Sequence, residues 1–399
     1  MAKDCSDLLL CKRYYEAASN KGEKYQNKMK DILLVTPPFI PVSKDSVAGI
    51  EQISYTLSKT LHEQGYNLSV IAREDSEVYG ELIVGGYKNI FYDDDSEQDY
   101  FFAAMYHTSS VLRNFIKKNN VDVVIDRCSG VSLRVSEEES GPRVISCLDM
   151  GSKYYMDSAF FNAIKQQLSN RDDQFVAVSK HIAHEYMNQL GINEEKMNII
   201  YNGIITENFP FCSQPEDYLL FLGRISKGKA PHLAIKAAKE SRHKIIVAGG
   251  NIPGDSNSQY EDRQYFEENI KSLLDENVQW HGPANLEQKV ELMKNAKAVL
   301  FTSQYNEALA LVPLEAMACG TPVIAFNKPG PNETIIDGKT GYLVDDYSEM
   351  LLSIDNIGEI KRVNCRNHVV NNFDYKKMGE KYSDLIEHTL QTEEIILLH

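Results

Sequence analysis

The sequence predicts an α/β protein with two doubly wound parallel-sheet domains, and two observations support this prediction. Strand-like apolar runs alternate with helical runs, which is the pattern of a parallel sheet covered by helices on both faces. The chain of 399 residues is also long enough for two domains that each bury a core of their own. We expect the first domain over residues 29–208 and the second over residues 209–374.

The first series of elements begins with the buried strand Asp31-Ile-Leu-Leu-Val, which runs into Thr36-Pro37-Pro38. A helix is expected from Ala48-Gly49 onward. Doubly wound sheets often bind NAD, so a dinucleotide-dependent oxidoreductase is one alternative function. The first strand lacks the Gly-x-Gly-x-x-Gly turn of those enzymes, which argues against it. Further strands are expected at Asn67–Ala72, Val121–Asp126, Arg143–Cys147 and Phe175–Val178.

The second series runs from Tyr218 to Val344, and a last helix is expected over about residues 375 to 390. Ahead of the first strand, residues 1–28 are a charged extension that we expect to be helical. Strands of the second series are expected at Lys244–Ala248, Ala298–Phe301 and Pro322–Phe326.

Composition argues against several classes of protein. The net charge of −15, from 42 basic and 57 acidic residues, disfavours a nucleic-acid binder. The seven cysteines include no Cys-x-x-Cys pair, which favours reduced thiols over a zinc site or a disulfide framework. No apolar run reaches the roughly 18–20 residues that a membrane span needs. We predict a soluble, cytoplasmic protein without an integral membrane segment, although peripheral membrane contact stays open.

No metal site is expected. None of the ten histidines has the spacing of a metal-ligand pair, and the run Asp93-Asp94-Asp95 is better explained as a solvated loop. The predicted protein therefore needs other positive charges wherever it binds an anion.

The stretch from Glu307 to Gly320 indicates an anion-binding helix. Pro313 fits the first turn of a helix and Gly320 fits the residue after its end, so Glu307 lies on the entering loop and Glu315 in the first turn. A helix N-terminus binds anions, and carboxylates beside a phosphate suit the hydroxyls of a nucleotide sugar. Two alternatives stay open: the carboxylate pair of a glycoside hydrolase, or ordinary glutamates that complement the helix dipole.

Two cations follow the first strand of the second series. Arg224 comes directly after the apolar run that ends at Gly223, and Lys229 lies five residues further on, just before a helical pattern. Fixed positive charge on such a loop suits a departing diphosphate. A solvated basic loop is the alternative.

These motifs together resemble glycosyltransferase family 4, retaining enzymes of the GT-B architecture, in which two Rossmann-like domains face a cleft. The likeness includes Gly-Arg-x4-Lys, Glu-x7-Glu and Ala-Cys-Gly-Thr-Pro-Val-Ile-Ala, in that order. It covers roughly residues 30–390. Further matching segments are 175–180, 199–204 and 330–344.

The resemblance implies a metal-independent transfer of sugar from a nucleotide diphosphate donor, most simply a UDP-sugar, to a hydroxyl-bearing acceptor. Arg224 and Lys229 would stabilise the departing diphosphate, Glu307 would hold sugar hydroxyls, and Glu315 would bind the ribose. The leaving phosphate oxygen would accept the proton of the acceptor. The final segment, residues 375–399, would cross back onto the first domain. A non-catalytic nucleotide-sugar sensor of the same fold is the alternative function.

The resemblance also implies backbone contacts to the donor. Gly49, the one glycine left of a family pair, would face the pyrophosphate from the first domain, and Gly282 lies in the segment expected beside the base. Ser146 or Asp149 stands where the family often has histidine, and Asp149 would bind a sugar or acceptor hydroxyl or would cap a loop. His281 is expected to be packed. The amides of Ala310, Leu311 and Val312 would reach a phosphate, with Leu309-Ala310 replacing the usual Phe-Gly.

The acceptor is not predicted. The loops 37–47 and 128–142 of the first domain carry no motif that identifies it, so natural-product, lipid, polysaccharide and protein acceptors stay open.

Overall fold

A computed structural model describes residues 29–46, 48–87, 97–128, 141–149, 173–250 and 256–396. The charged extension 1–28 and the aspartate run 93–95 lie outside the described residues, as does most of the loop 128–142.

The first domain is built on a seven-stranded parallel sheet with the strand order β3-β2-β1-β4-β5-β6-β7. The order reverses between β1 and β4, so loops that follow these two strands open a crevice at their carboxyl ends. The elements in chain order are β1 (Asp31–Val35), α1 (Gly49–Glu63), β2 (Asn67–Arg73), β3 (Glu81–Gly86), α2 (Glu97–Lys118), β4 (Val123–Asp126), β5 (Arg143–Leu148), β6 (Gln174–Ala177), α3 (Lys180–Leu190) and β7 (Met197–Ile199).

The second domain has a six-stranded parallel sheet with the order β10-β9-β8-β11-β12-β13, which reverses between β8 and β11. Its elements are β8 (Tyr218–Leu222), α4 (Pro231–Glu240), β9 (Lys244–Ala248), α5 (Ser256–Asn269), β10 (Val278–Gly282), α6 (Leu286–Asn295), β11 (Ala298–Phe301), α7 (Leu311–Ala318), β12 (Val323–Phe326), α8 (Pro331–Thr334), β13 (Gly341–Val344), α9 (Tyr347–Asn356), α10 (Arg362–Asn372) and α11 (Tyr375–Ile396).

The packing of the central strand β1 explains why its sequence is almost wholly apolar. Leu33 and Val35 pack into one core cluster, and Ile32 and Leu34 pack into another on the opposite face of the sheet. A parallel strand with helices on both faces needs apolar side chains at every position, since neither face meets water. The predicted doubly wound fold is confirmed, and so are the predicted strands, within one or two residues at their ends.

The last helix lies against the first domain. In α11, Gly379 approaches α1 so closely that an added Cβ would lie 2.0 Å from Thr60 Oγ1. The hydroxyl of Ser383 donates to Gln64 Oε1 at 2.8 Å. The helix α11 therefore returns from the second domain to the first.

Candidate active site

The loop after β8 holds the two predicted phosphate-binding cations, Arg224 and Lys229. The backbone N–H of Lys229 donates to Ser226 Oγ at 3.4 Å, and α4 begins two residues later. Gly249, which follows β9, packs so tightly that an added Cβ would lie 1.8 Å from the carbonyl oxygen of Gly223. The loop thus leaves the sheet at the carboxyl end of β8, beside the reversal of strand order.

The loop after β11 is hydrogen-bonded to the loop after β8. Thr302 Oγ1 donates to the carbonyl oxygens of Lys229 at 3.0 Å and Ala230 at 2.9 Å. The backbone N–H of Gln304 donates to the carbonyl of Gly228 at 2.6 Å. These bonds fix the segment that carries Glu307 against the segment that carries Lys229.

Lys229 and Glu307 form an ion pair, with Lys229 Nζ 2.5 Å from Glu307 Oε1. The hydroxyl of Ser303 donates to the same carboxylate oxygen at 2.5 Å. The Lys229 ammonium also lies 5.7 Å from the ring centroid of Phe301, within cation–π range. The two side chains are 25% and 17% exposed, so a cation and a carboxylate stand side by side where water is partly excluded.

Arg224 lies near an acidic side chain of α5. Its Nε is 3.7 Å from Asp262 Oδ2, too long for a hydrogen bond. The guanidinium is 28% exposed, so it keeps hydrogen-bonding capacity toward the solvent side of the loop. A planar donor of this kind suits a diphosphate.

The N-terminus of α7 lies just beyond Glu307, and its preceding residue adopts an unusual backbone conformation. Ala310 has φ +72° and ψ 91°, and its side chain makes no capping hydrogen bond. Positive φ costs a residue with a Cβ roughly 1–2 kcal/mol, and strain of this kind concentrates at functional sites. The N–H groups of Leu311 and Val312 are the first two of α7, and the side chain of the N-cap residue Ala310 accepts a hydrogen bond from neither.

The first residue of α1 adjoins the first residue of α7 across the cleft. A Cβ on Gly49 would lie 3.4 Å from Leu311 Cδ1, an ordinary contact, so the protein itself does not require glycine there. The N-cap of α1, Ala48, makes no side-chain capping bond either. Two positive helix ends thus converge from the two domains, a geometry that favours an anion between them.

Glu315 is buried and held from both domains. Its Oε1 accepts from Lys289 Nζ in α6 at 2.6 Å and from Gln52 Nε2 in α1 at 2.9 Å. The side chain is 2% exposed. Because α7 begins at Leu311, Glu315 lies in the second helical turn, and the expectation of the first turn was wrong.

The sequence did not single out Lys289 or Gln52. Gln52 lies three residues after Gly49, on the same face of α1, so helical spacing was the available signal for it. No sequence signal pointed to Lys289, which reaches Glu315 only because α6 packs beside α7.

Gly282 ends β10 at the edge of the second sheet. Its carbonyl accepts from the N–H of Gly249 at 2.8 Å, and Gly249 in turn packs against Gly223, the residue before Arg224. His281 beside it is exposed, so the expectation of a packed histidine was wrong. β10 is the outermost strand of the sheet formed by the described residues.

Asp149 lies after β5 in a buried ion pair with Arg127, whose Nη2 is 2.5 Å from Asp149 Oδ1. The side chains are 3% and 0% exposed, respectively. In the part of the chain described, Asp149 Oδ2 and Arg127 Nε and Nη1 make no hydrogen bond. Burial raises the pKa of Asp149, although the charge of Arg127 lowers it. The predicted ligand role of Asp149 stays a prediction.

Glu51 lies beside this pair, in the first turn of α1. Burial raises the pKa of its carboxyl from 4.5 to about 7, against the lowering effects of a backbone hydrogen bond and of Arg127. The first domain therefore places a group that titrates near neutrality two residues from Gly49.

The described residues contain no group of three or more histidine, cysteine, aspartate or glutamate side chains that could hold a metal ion. None of the helices in the described ranges is long and apolar enough to cross a membrane.

Comparison with known proteins identifies the family through both domains. The profile described as Glycosyltransferase Family 4 matches residues 47–208, and the profile described as Glycosyl transferases group 1 matches residues 209–359. A D-inositol 3-phosphate glycosyltransferase of Kribbella flavida is 31% identical over 214 residues, which are 48% of this chain and 50% of that protein. The chain spans about 50–60% of the length of the curated relatives it matches first.

Solved structures share the fold over nearly the whole chain. A sucrose-phosphate synthase of Thermosynechococcus elongatus superposes with a TM-score of 0.75 at 18% identity, covering 91% of this chain and 100% of that one. HepE of Anabaena, solved in complex with UDP and glucose, gives a TM-score of 0.67 at 16% identity, covering 90% and 100%. These proteins have the GT-B architecture of two facing parallel-sheet domains. The chain described here belongs to glycosyltransferase family 4.

Proposed function

We propose that this protein transfers a sugar from a UDP-sugar to a hydroxyl-bearing acceptor, with retention of anomeric configuration and without a metal ion. The observation that carries the proposal is the Lys229–Glu307 pair, which lies where the strand order reverses. Glu307 stands just ahead of the uncapped N-terminus of α7, and the uncapped N-terminus of α1 adjoins that helix end. Cations and helix ends suit the diphosphate, and a carboxylate suits the sugar.

The diphosphate would be bound without an ion. Arg224 and Lys229 supply two positive charges, and the amides at the start of α7 supply donors for the phosphate oxygens. As the bond between the anomeric carbon and the phosphate oxygen breaks, these groups stabilise the charge that develops on the leaving group.

The two glutamates would bind different parts of the donor. Glu307 lies on the loop ahead of α7, where it would accept hydrogen bonds from sugar hydroxyls and favour positive charge at the anomeric carbon. Glu315 lies inside α7, where it would accept from the ribose hydroxyls in place of Gln52. The acceptor oxygen would then bond to the anomeric carbon and pass its proton to the departing phosphate oxygen.

Two findings support a uridine nucleotide and a cytoplasmic protein. HepE, which shares the fold, was crystallised with UDP and with UDP-glucose, so a UDP-sugar is the first donor to test here. The five cysteines in the described residues are all free, as expected of a reducing compartment.

Calorimetric titration with UDP, GDP, ADP and TDP in EDTA tests nucleotide choice and metal independence together. We expect UDP to bind most tightly, with the same affinity in EDTA and in magnesium. Loss of UDP binding in EDTA that manganese or magnesium restores would contradict the metal-independent site.

Turnover of UDP-sugars in the presence of candidate acceptors separates an enzyme from a sensor. Anomeric proton coupling in the product reports the configuration, and we expect that of the donor. An inverted product would contradict retention, and binding of UDP without any turnover would favour the sensor.

A further inference from the structure

Glu333 joins the two domains through three hydrogen bonds. It lies in α8 of the second domain, and its carboxylate accepts from donors of the first. The backbone N–H groups of Lys180 and His181 donate to Oε2 at 2.8 Å and to Oε1 at 3.0 Å. The hydroxyl of Tyr201 donates to Oε2 at 2.9 Å. One side chain thus ties α8 to the start of α3 and to the segment after β7.

The start of α3 needs this carboxylate. The N-cap residue Ser179 accepts from the N–H of Ile182, which leaves the N–H groups of Lys180 and His181 for an outside partner. An ionised carboxylate is a strong acceptor there, since it also complements the helix dipole. Burial raises the pKa of Tyr201, and the bond to Glu333 raises it further, so the hydroxyl stays a donor.

The segment that ends in Glu333 also contacts Glu307. The backbone N–H of Glu307 donates to the carbonyl of Pro329 at 3.2 Å. Gly330 has φ +93°, and a Cβ there would lie 2.7 Å from Glu307 Cβ. Residues 329–333 therefore touch the glutamate proposed to hold the sugar at one end and the first domain at the other.

We propose that Glu333 is a positioning residue: it fixes the first domain against the segment that carries Glu307, and so couples closure of the cleft to the position of that glutamate. Its effect on turnover rests on the proposed function, whereas the contact between the domains does not. Without Glu333 the domains lose three hydrogen bonds, and the packing of Gly330 against Glu307 no longer fixes the sugar site relative to the first domain.

Hydrogen exchange and solution scattering on the full chain test the contact. In Glu333→Ala we expect exchange at the amides of Lys180 and His181 to become at least about tenfold faster, since opening then costs fewer bonds. We also expect a larger radius of gyration. Asp346→Ala is the matched control, because Asp346 accepts from the N–H of Glu349 and caps α9 within the second domain. It should leave both readings at parent values.

Kinetics test the positioning role. Glu333→Ala should lower kcat of UDP-sugar turnover by about 10- to 100-fold, because misplacement of a reacting group by about 1 Å has effects of that size. The dissociation constant of UDP should change less than about threefold. Glu333→Gln keeps one carbonyl acceptor and should recover part of kcat, and Tyr201→Phe, which removes one of the three bonds, should lose less than Glu333→Ala.

Two results would overturn the proposal: parent-like exchange at Lys180 and His181 in Glu333→Ala, or parent-like kcat despite faster exchange. Failure of the parent protein to bind UDP or turn over any UDP-sugar would instead overturn the proposed function, and the positioning role with it. Hydrogen exchange and solution scattering would still test whether Glu333 holds the two domains together.

Discussion

Lys229 and Glu307 lie 78 positions apart in the chain and meet at 2.5 Å. They belong to the two loops that follow β8 and β11, the strands between which the order of the second sheet reverses. Each side chain neutralises the charge of the other. A bound diphosphate would draw on the charge of Lys229, while Glu307 stays beside the sugar that the diphosphate carries.

Removal of the Lys229 charge should weaken nucleotide binding. Lys229→Met should raise the dissociation constant of UDP by about 10- to 100-fold, since a charge-assisted hydrogen bond contributes about 1.5–3 kcal/mol. Lys227→Met is the matched control, because Lys227 lies on the same loop but is exposed. Calorimetry measures both, and equal losses would show a general charge effect rather than a contact from Lys229.

Glu315→Gln should weaken UDP binding by about tenfold or more, because an amide accepts more weakly from ribose hydroxyls than a carboxylate does. Gln52→Ala is the control: it removes the cross-domain partner of Glu315 and leaves the carboxylate with Lys289. We expect its UDP affinity within about threefold of the parent. The same loss in both variants would assign the effect to the contact between the domains instead.

Glu51 should make stability depend on pH. Its pKa is about 7 in the folded protein against 4.5 ordinarily, so the folded state holds this proton more tightly. Below pH 4.5 the raised pKa of Glu51 contributes about 3 kcal/mol to the free energy of unfolding. This contribution is lost as the pH rises through 7. Urea unfolding of the parent and of Glu51→Gln, from pH 4.5 to 8, measures the difference between their unfolding free energies. That difference should vary with pH by up to about 3 kcal/mol. A constant difference would contradict the shifted pKa.

Removal of only one charge of the buried Arg127–Asp149 pair should lower the unfolding free energy. Arg127→Met leaves a buried carboxylate uncompensated and should lower the unfolding free energy by about 3–5 kcal/mol. Arg127→Met with Asp149→Leu removes both charges and should recover most of the loss. Urea unfolding measures both, and a double variant as unstable as the single one would mean that packing, not charge, explains the effect.

The strands that are buried on both faces could be predicted from the sequence, whereas the edge strands β3, β7 and β10 could not. All three lie at sheet edges, where part of the strand meets water and the apolar run is broken. In β10, for example, Gln279, Trp280 and His281 are exposed between two buried ends. A run of apolar residues marks a central strand, but an edge strand is defined by the neighbour it pairs with.

The same distinction holds for the site. The placement of Arg224, Lys229 and Glu307 at one edge of the second sheet could be predicted, because each follows a recognisable buried strand and the carboxyl ends of parallel strands share one edge. Their roles toward a donor stay predictions. Lys289, Gln52 and Glu333 act through contacts over 26, 263 and about 150 positions of sequence, respectively, so their roles depend on packing. The sequence shows that Ala310 departs from the usual family residue, but it does not show that the backbone of Ala310 has a positive φ.

The most direct test of the account is Glu307→Gln, measured for UDP affinity and for turnover of the intact UDP-sugar. The amide keeps the size of the side chain but loses the charge that orients sugar hydroxyls and favours positive charge at the anomeric carbon. We predict an almost unchanged dissociation constant for UDP and a fall in turnover of 10²-fold or more, roughly 3 kcal/mol of barrier. Turnover at the parent rate would contradict the account, since Glu307 would then only complement the helix dipole of α7.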